Sequence, residues 1–570
     1  MAPSHHSFDD DIDYPGNNSR SLTRYIKDPI HDYIPASPLL IQFIDSKAFQ
    51  RLRHVKQLGT SSYVWPGGSH SRFEHSLGVA YLARLMAEHL QTSQPDLGIT
   101  DRDVNCVEIA GLCHDLGHGP WSHVWDGMFI PAALKDSNWR HEEGSEMMFD
   151  YLIKENEIPL PQKDSKFVKA LIAGDPSKCS PDEKPFLFDI VANKRNGLDV
   201  DKFDYIQRDS HMIGDPITLS LTRIIHSARV LDNQICYDIK DANQIYEICA
   251  TRFKLHKIIY NHKTAKAVEY MIIDGLLAAQ PYMHIAERVH NPETYVHLTD
   301  DIMSRIETTT EPELAPARAI FARIHTRDLY KCVDYKVIDW PLRAVFREHI
   351  TPEHIVEAAN ALSVGPSTPV TEDDLELKIP APPLEVKDVI VDFSTMHYGM
   401  KEKNPLDYIK FYSKRNPNQS AIAGRGDYSN LMPQYFAEDL IRVYTKKPQY
   451  FGLVQAGYRA VLAAMENSAP FPLSPPLDAV LEGDGTTSLK TPPATEPPTT
   501  PKAQSRQASF TFLSVGASST ATPFSNNSFT TVSPRYMPTS PTQTAKRTRS
   551  VAKRAREEDP ESTPMKKSRV

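Results

Sequence analysis

Past residue 469 the chain can no longer build a core. From Pro470 to Val570 it carries 15 of its 45 prolines in 101 residues, set among serine and threonine. Such a stretch cannot bury enough apolar surface to offset its chain entropy, and each proline removes a backbone donor. The tail, 467–570, is therefore expected to be disordered. The fold must come from roughly residues 22–466, which is long enough for more than one domain.

Charge divides at the same place. The chain carries −8 overall; the tail from Pro470 holds 13 Lys+Arg and 8 Asp+Glu, a net of +5, which leaves −13 for the body. An acidic body excludes a protein that coats nucleic acid with its whole surface, but leaves room for local basic sites that hold phosphate. The six cysteines (Cys106, Cys113, Cys179, Cys236, Cys249 and Cys332) form no CxxC pair. Several lie in apolar stretches and read as buried, reduced thiols. The N-terminus is acidic and polar, with no secretory apolar segment. No apolar run approaches the roughly 18 residues of a membrane span. A soluble intracellular protein without a membrane partner is expected.

Apolar spacing predicts a mainly α architecture. Residues 75–91 repeat Leu82, Leu85/Met86 and Leu90 at helical intervals, and 104–113 form a second apolar helix that ends just before His114. Further helices are predicted over 142–154, 241–280 (one or two), 436–447 and 453–465. The clearest strand is 388–393, and residues 363–385 read as a loop between lobes.

Four segments concentrate histidine and aspartate: Arg72-Phe73-Glu74-His75, Cys113-His114-Asp115 through His118 to His123, Arg140-His141-Glu142, and Asp199-Val200-Asp201-Lys202. An adjacent His-Asp pair offers one imidazole nitrogen and one carboxylate oxygen, a couple suited to iron, manganese or zinc. One earlier His and one later Asp complete a shell, giving the set His75, His114, Asp115 and Asp201.

The arrangement resembles the HD-domain phosphohydrolase superfamily. Longer runs narrow the likeness: Ile26-Lys27-Asp28-Pro29-Ile30-His31, Lys56-Gln57-Leu58-Gly59, Ser71-Arg72-Phe73-Glu74-His75-Ser76-Leu77-Gly78, His114-Asp115-Leu116-Gly117-His118-Gly119-Pro120 and Asn196-Gly197-Leu198-Asp199-Val200-Asp201-Lys202. These look like the eukaryotic SAM-and-HD-domain deoxynucleoside triphosphate triphosphohydrolases, over roughly residues 24–447. Too few residues precede Arg24 to hold a SAM domain. The sequence pattern predicts a flexible lead over 1–23 and a helical body with a small mixed α/β lobe over 291–466; the resemblance makes 24–290 an HD-domain catalytic core and gives the lobe oligomer and effector contacts.

By the same resemblance His75, His114, Asp115 and Asp201 are the metal ligands, with Asp199 structural and Mg2+ accompanying the nucleotides. Arg72, His118, Lys202 and Tyr205 are expected on phosphates, because a nucleoside triphosphate brings about four negative charges to offset. Gln57 and Asp209 match groups that bond the sugar 3'-hydroxyl. Leu58 and Tyr260 match those that crowd the 2' position, with Arg252 and His256 on the same helix face. The implied reaction is attack at the α-phosphorus of a dNTP, giving a deoxynucleoside and inorganic triphosphate. His123 is the first choice of general acid, oriented by Asp126, and His141 is the second. Rival readings are hydrolysis of another nucleotide, and a catalytically idle scaffold that binds single-stranded nucleic acid.

The family resembled is activated by guanine nucleotide and forms tetramers. Asp45, Gln50 and Arg53 match the guanine-reading trio, and Arg24 a phosphate-binding Lys. Arg223, Lys240, His262, Lys263 and Arg425 match groups at a neighbouring effector site. Asp238, Gln244 and Ile422 depart from the pattern there, and an acid in place of Arg should weaken phosphate binding. In the tail, Lys546-Arg547-Thr548-Arg549, Lys553-Arg554-Ala555-Arg556 and Lys566-Lys567-Ser568-Arg569 read as a nuclear localisation signal. Thr563-Pro564-Met565-Lys566 fits a proline-directed kinase site.

Overall fold

The computed structural model describes residues 23–135, 137–363 and 383–468. The lead, most of the 363–385 loop, and the tail with its basic clusters and Thr563 lie outside the described residues. Helices dominate. Those that build the site are α1 (Arg72–Ser93), α2 (Asp101–Cys113), α3 (His141–Glu155), α4 (Val200–Met212), α5 (Ala242–Leu255) and α6 (Lys263–Met283); α7 (Phe451–Ser468) closes the described chain. The predicted helices over 75–91, 104–113, 142–154 and 453–465 are therefore present, each somewhat longer than its apolar pattern. Residues 241–280 divide into α5 and α6, separated by a π-helical turn, His256–Tyr260.

Nine strands occur among the described residues. β1 (Arg24–Asp28) and β2 (Asp32–Ala36) form a hairpin. β3 (Arg229–Leu231), β4 (Gln234–Asp238), β7 (Lys410–Ser413) and β8 (Asn416–Ile422) form a second sheet. The third has β9 (Ala437–Thr445) between β5 (Lys331–Ile338) and β6 (Val389–His397), antiparallel to both. The strand predicted over 388–393 is β6. The helix predicted over 436–447 is instead β9. As a central strand it is covered on both faces, and Leu440, Ile441, Val443 and Tyr444 are all buried. A two-sided strand loses the alternation that marks strands and imitates helical spacing.

Two hydrophobic clusters result. The smaller joins β5, β6, β9 and α7 through Val333, Val389, Ile441, Val443 and Tyr458. The larger takes in α1 to α6, and also Tyr295, Phe321, Leu406, Phe411 and Tyr444. Much of the chain beyond residue 290 thus shares a core with the part before it. All six cysteines are free thiols, four of them buried, as the apolar settings predict. Among the described residues no helix is long and apolar enough to cross a membrane.

Candidate active site

Three helix ends bring the histidines and aspartates together. Glu74 accepts the Ser71 N–H at 3.0 Å, half of a capping arrangement that starts α1 and sets Arg72 and His75 on its inner face. Thr100 and Asp103 cap α2 reciprocally, and α2 delivers His114 at its C-terminal cap. Asp199 caps α4 by accepting the Lys202 N–H at 3.2 Å, and it also accepts the Asn193 N–H. Asp199 is thus a scaffold residue, and Asp201 stands in the first turn of α4. Close approach requires glycine at 78, where a Cβ would lie 1.9 Å from Asp204 Oδ1.

His75 Nε2 lies 3.1 Å from Asp201 Oδ1 and 3.6 Å from Asp115 Oδ2. His114 Nε2 lies 3.5 Å from Asp201 Oδ1 and 3.4 Å from Asp115 Oδ1. One ligand atom each from His75, His114 and Asp201 lies within 4.8 Å of the other two. His114 Nδ1 donates to the Gly111 carbonyl at 2.8 Å, which leaves Nε2 as the ring nitrogen turned toward Asp115 and Asp201. That Nε2 is buried and has no hydrogen-bond partner. An orphaned buried nitrogen facing two carboxylates and a second imidazole is the donor set a divalent cation takes, so the residues fit the metal expected of them.

Electrostatics follow the same geometry. Burial works against charge on His75, yet its contacts with Asp201 and Asp204 raise its pKa to about 10. Burial also opposes ionisation of Asp115, but Arg72, bonded to Asp115 Oδ2 at 2.6 Å, keeps that carboxyl well below the ordinary range. Burial together with Arg72 holds His118 neutral.

A cavity of about 690 Å³ opens over this set. Its walls include the predicted phosphate group (Arg72, His118, Lys202, Tyr205) and the predicted sugar group (Gln57, Leu58, Asp209, Arg252, His256, Tyr260). Tyr260 donates to Asp209 Oδ2 at 2.5 Å, while His70 bonds Asp209 Oδ1 at 2.8 Å. Burial and the Asp209 carboxylate keep the Tyr260 hydroxyl protonated. The π turn moves Tyr260 off an exact spacing of four from His256, yet both rings line the cavity, 4.9 Å apart and edge to face.

The candidate acids stand beside the phosphate group. His123 lines the cavity with its side chain 73% exposed, and its Nδ1 lies 3.6 Å from Asp126 Oδ1. His141 makes the closer contact, Nδ1 to Asp126 Oδ2 at 2.5 Å. Burial lowers the His141 pKa, but the bond to Asp126 outweighs it and leaves the ring more basic than usual. Trp121 and Ser122 hold φ of 54° and 57°, a left-handed conformation costly for non-glycine residues. Asp300 accepts the Trp121 N–H, and Ser122 Oγ donates to the Lys56 carbonyl, which fixes the loop that presents His123.

Sequence reasoning assigned no role to several groups here. Asp204 accepts from His75 Nδ1 (2.8 Å), from His31 Nε2 (2.6 Å) and from Arg208, and Arg208 is bonded in turn to Asp28. His70, Lys266, Glu269 and Thr395 were also missed. The only available signals were the Asp28-to-His31 motif and the four-residue spacing of Asp204 and Arg208.

The predicted guanine-site residues form two pairs, and none of them lines the cavity. Arg24 pairs with Asp45 at 2.8 Å, Arg53 donates to Gln50 at 2.8 Å, and the Arg53 guanidinium lies over the Phe73 ring. Of the second effector set, Arg223 pairs with Asp241 at 2.7 Å. Lys240 belongs to a short turn whose backbone N–H is capped by Asp238. His262 caps α6, and Lys263 is its first residue. Gln244 Oε1 is buried without a partner, and Ile422 is half exposed. Arg425 opens a four-residue helical turn, Arg425–Tyr428; its side chain lies outside the described ones.

The HD domain family matches residues 72–208. The chain is 41% identical over 465 residues to the deoxynucleoside triphosphate triphosphohydrolase SAMHD1 of Bos taurus, covering 76% of each chain. It is 41% identical over 457 residues to the Homo sapiens protein of that name, covering 74% of this chain and 70% of the relative. A SAMHD1 homolog from Dictyostelium discoideum is 36% identical over 456 residues, covering 80% and 83%.

Proposed function

We propose that this chain, which belongs to the HD-domain deoxynucleoside triphosphate triphosphohydrolase family, hydrolyses dNTPs at the α-phosphorus to a deoxynucleoside and inorganic triphosphate. The observation that carries the proposal is that one cavity is lined by His114, Asp115 and Asp201, by the cations Arg72 and Lys202, and by the Tyr260–Asp209 pair. A divalent iron, manganese or zinc ion held by His75, His114, Asp115 and Asp201 supplies Lewis acidity toward water and a phosphate oxygen.

The protein's own residues account for the rest. Arg72 and Lys202 offset triphosphate charge, the remainder being met by Mg2+ bound with the nucleotide. Gln57 and Asp209 take the 3'-hydroxyl, and Leu58 with Tyr260 leaves no partner for a 2'-hydroxyl. The departing 5'-oxygen receives a proton from the His123–Asp126–His141 group, of which His123 is the more exposed imidazole.

The pairing of Arg24 with Asp45 and of Gln50 with Arg53 supports a guanine-nucleotide activator site. We place catalysis in residues 24–290, and effector and subunit contacts, in a tetramer, in 291–466. The tail directs the protein to the nucleus through its basic clusters; a fluorescent fusion of residues 1–469 that still accumulates there would refute this. Phosphorus NMR of dGTP turnover, with and without GTP, tests the reaction. Triphosphate as the first product is expected, with faster release when GTP is present; pyrophosphate or monophosphate as the first product would refute attack at the α-phosphorus.

A further inference from the structure

Beside the metal set lies a second gathering of donors. His118, His123, Asp126 and His141 each place one ligand atom within 4.8 Å of the other three. Their rings already surround a common region. His118 stacks on His141 with centroids 4.0 Å apart, and His123 stands edge-on to both at 5.0 and 5.6 Å.

Two atoms of this group are unsatisfied. His118 Nδ1 and Asp126 Oδ1 are shielded from solvent and lack hydrogen-bond partners, and His118 is only 1% exposed. A buried nitrogen and a buried carboxylate oxygen without partners cost free energy that a coordinated cation would remove. Three imidazoles and one carboxylate match the tetrahedral nitrogen-and-oxygen shell of Zn2+ or Co2+. Access is available, since His118, His123 and His141 all face the cavity.

We propose that His118, His123, Asp126 and His141 form a second transition-metal site, weaker than the first, and that filling it stops turnover. It is weaker because the ion must displace the hydrogen bond that His141 already makes with Asp126, and any proton carried on the His123 and His141 imidazoles leaves to solvent as their lone pairs engage. It is inhibitory because the same two imidazoles protonate the leaving oxygen. The inhibition rests on the function proposed above; the binding does not.

The test uses metal-free protein titrated with Co2+, with bound ions counted by equilibrium dialysis and tetrahedral geometry read from visible absorption. The wild type should bind two ions per chain in two steps. His123→Ala, whose side chain is largely exposed, should bind one. Asp201→Ala should lose the tight step and keep the weak one with its tetrahedral spectrum. Saturation of the wild type at one ion, or two ions in His123→Ala, would overturn the site. Separately, Zn2+ in excess of the first equivalent should lower kcat at least about tenfold with little change in KM. Two bound ions with undiminished turnover would overturn the inhibitory role and leave the site standing. A wild type that binds two ions but shows no triphosphate release under any condition would count against the proposed function, not against the site.

Discussion

His75 is gripped from behind: its Nδ1 lies 2.8 Å from Asp204 Oδ2, which leaves Nε2 facing Asp201 and Asp115. A carboxylate on the far nitrogen fixes the tautomer and raises the basicity of the near one, and losing such a partner costs about 10- to 100-fold in metal affinity. Asp204→Asn should therefore release its metal to a chelator about ten times more readily than wild type, at a melting temperature that still reports a folded protein. Equal retention would remove Asp204 from the metal site.

Tyr260 is held against Asp209, and its ring lines the cavity, where the proposed function sets the sugar C2'. Tyr260→Ala should relax discrimination against ribonucleotides about tenfold or more, since an unsatisfied hydroxyl would then meet water in place of a ring. The ratio of dGTP to GTP hydrolysis measures this. An unchanged ratio would put Tyr260 away from the sugar.

The His123–Asp126–His141 group is assigned to the leaving oxygen, so its loss should matter only when that oxygen needs a proton. His123→Ala should lower kcat for dGTP by about 100-fold or more while keeping its metal. Bis(p-nitrophenyl) phosphate releases an anion that needs no proton, and its hydrolysis should fall far less. Equal losses on both substrates would assign His123 to binding.

Glu108, buried on α2, is pushed up to about 7 by burial, which the Arg84 guanidinium only partly offsets. The fold thus binds this proton more tightly than the unfolded chain does, and the stability gained is present below about pH 4.5 and lost as pH rises to about 7. Glu108→Gln should flatten the dependence of melting temperature on pH between 5 and 7. A wild-type slope retained in the variant would show that Glu108 ionises normally.

The His/Asp cluster was legible because its members fall in short motifs at helix ends: His75 just inside α1, His114-Asp115 at the end of α2, Asp201 in the first turn of α4. The grip on them was not. His31 and Asp204 are 173 residues apart in sequence, and His70 and Asp209 are 139 apart, and no local period reports contacts of that range. Asp300 anchors the Trp121 turn across 179 residues for the same reason. Strands fared worse than helices. β3 has three residues, too few to show alternation, and β9 is buried on both faces.

The central claim is that the four-ligand set carries phosphohydrolysis, and metal content and triphosphate release measured on the same preparations of wild type, His114→Ala and Asp201→Ala test it most directly. The wild type should hold a transition metal and release inorganic triphosphate from dNTPs in the presence of GTP. Both variants should lose the tightly bound metal and turnover together. A variant that kept its metal and released triphosphate at the wild-type rate would contradict the account.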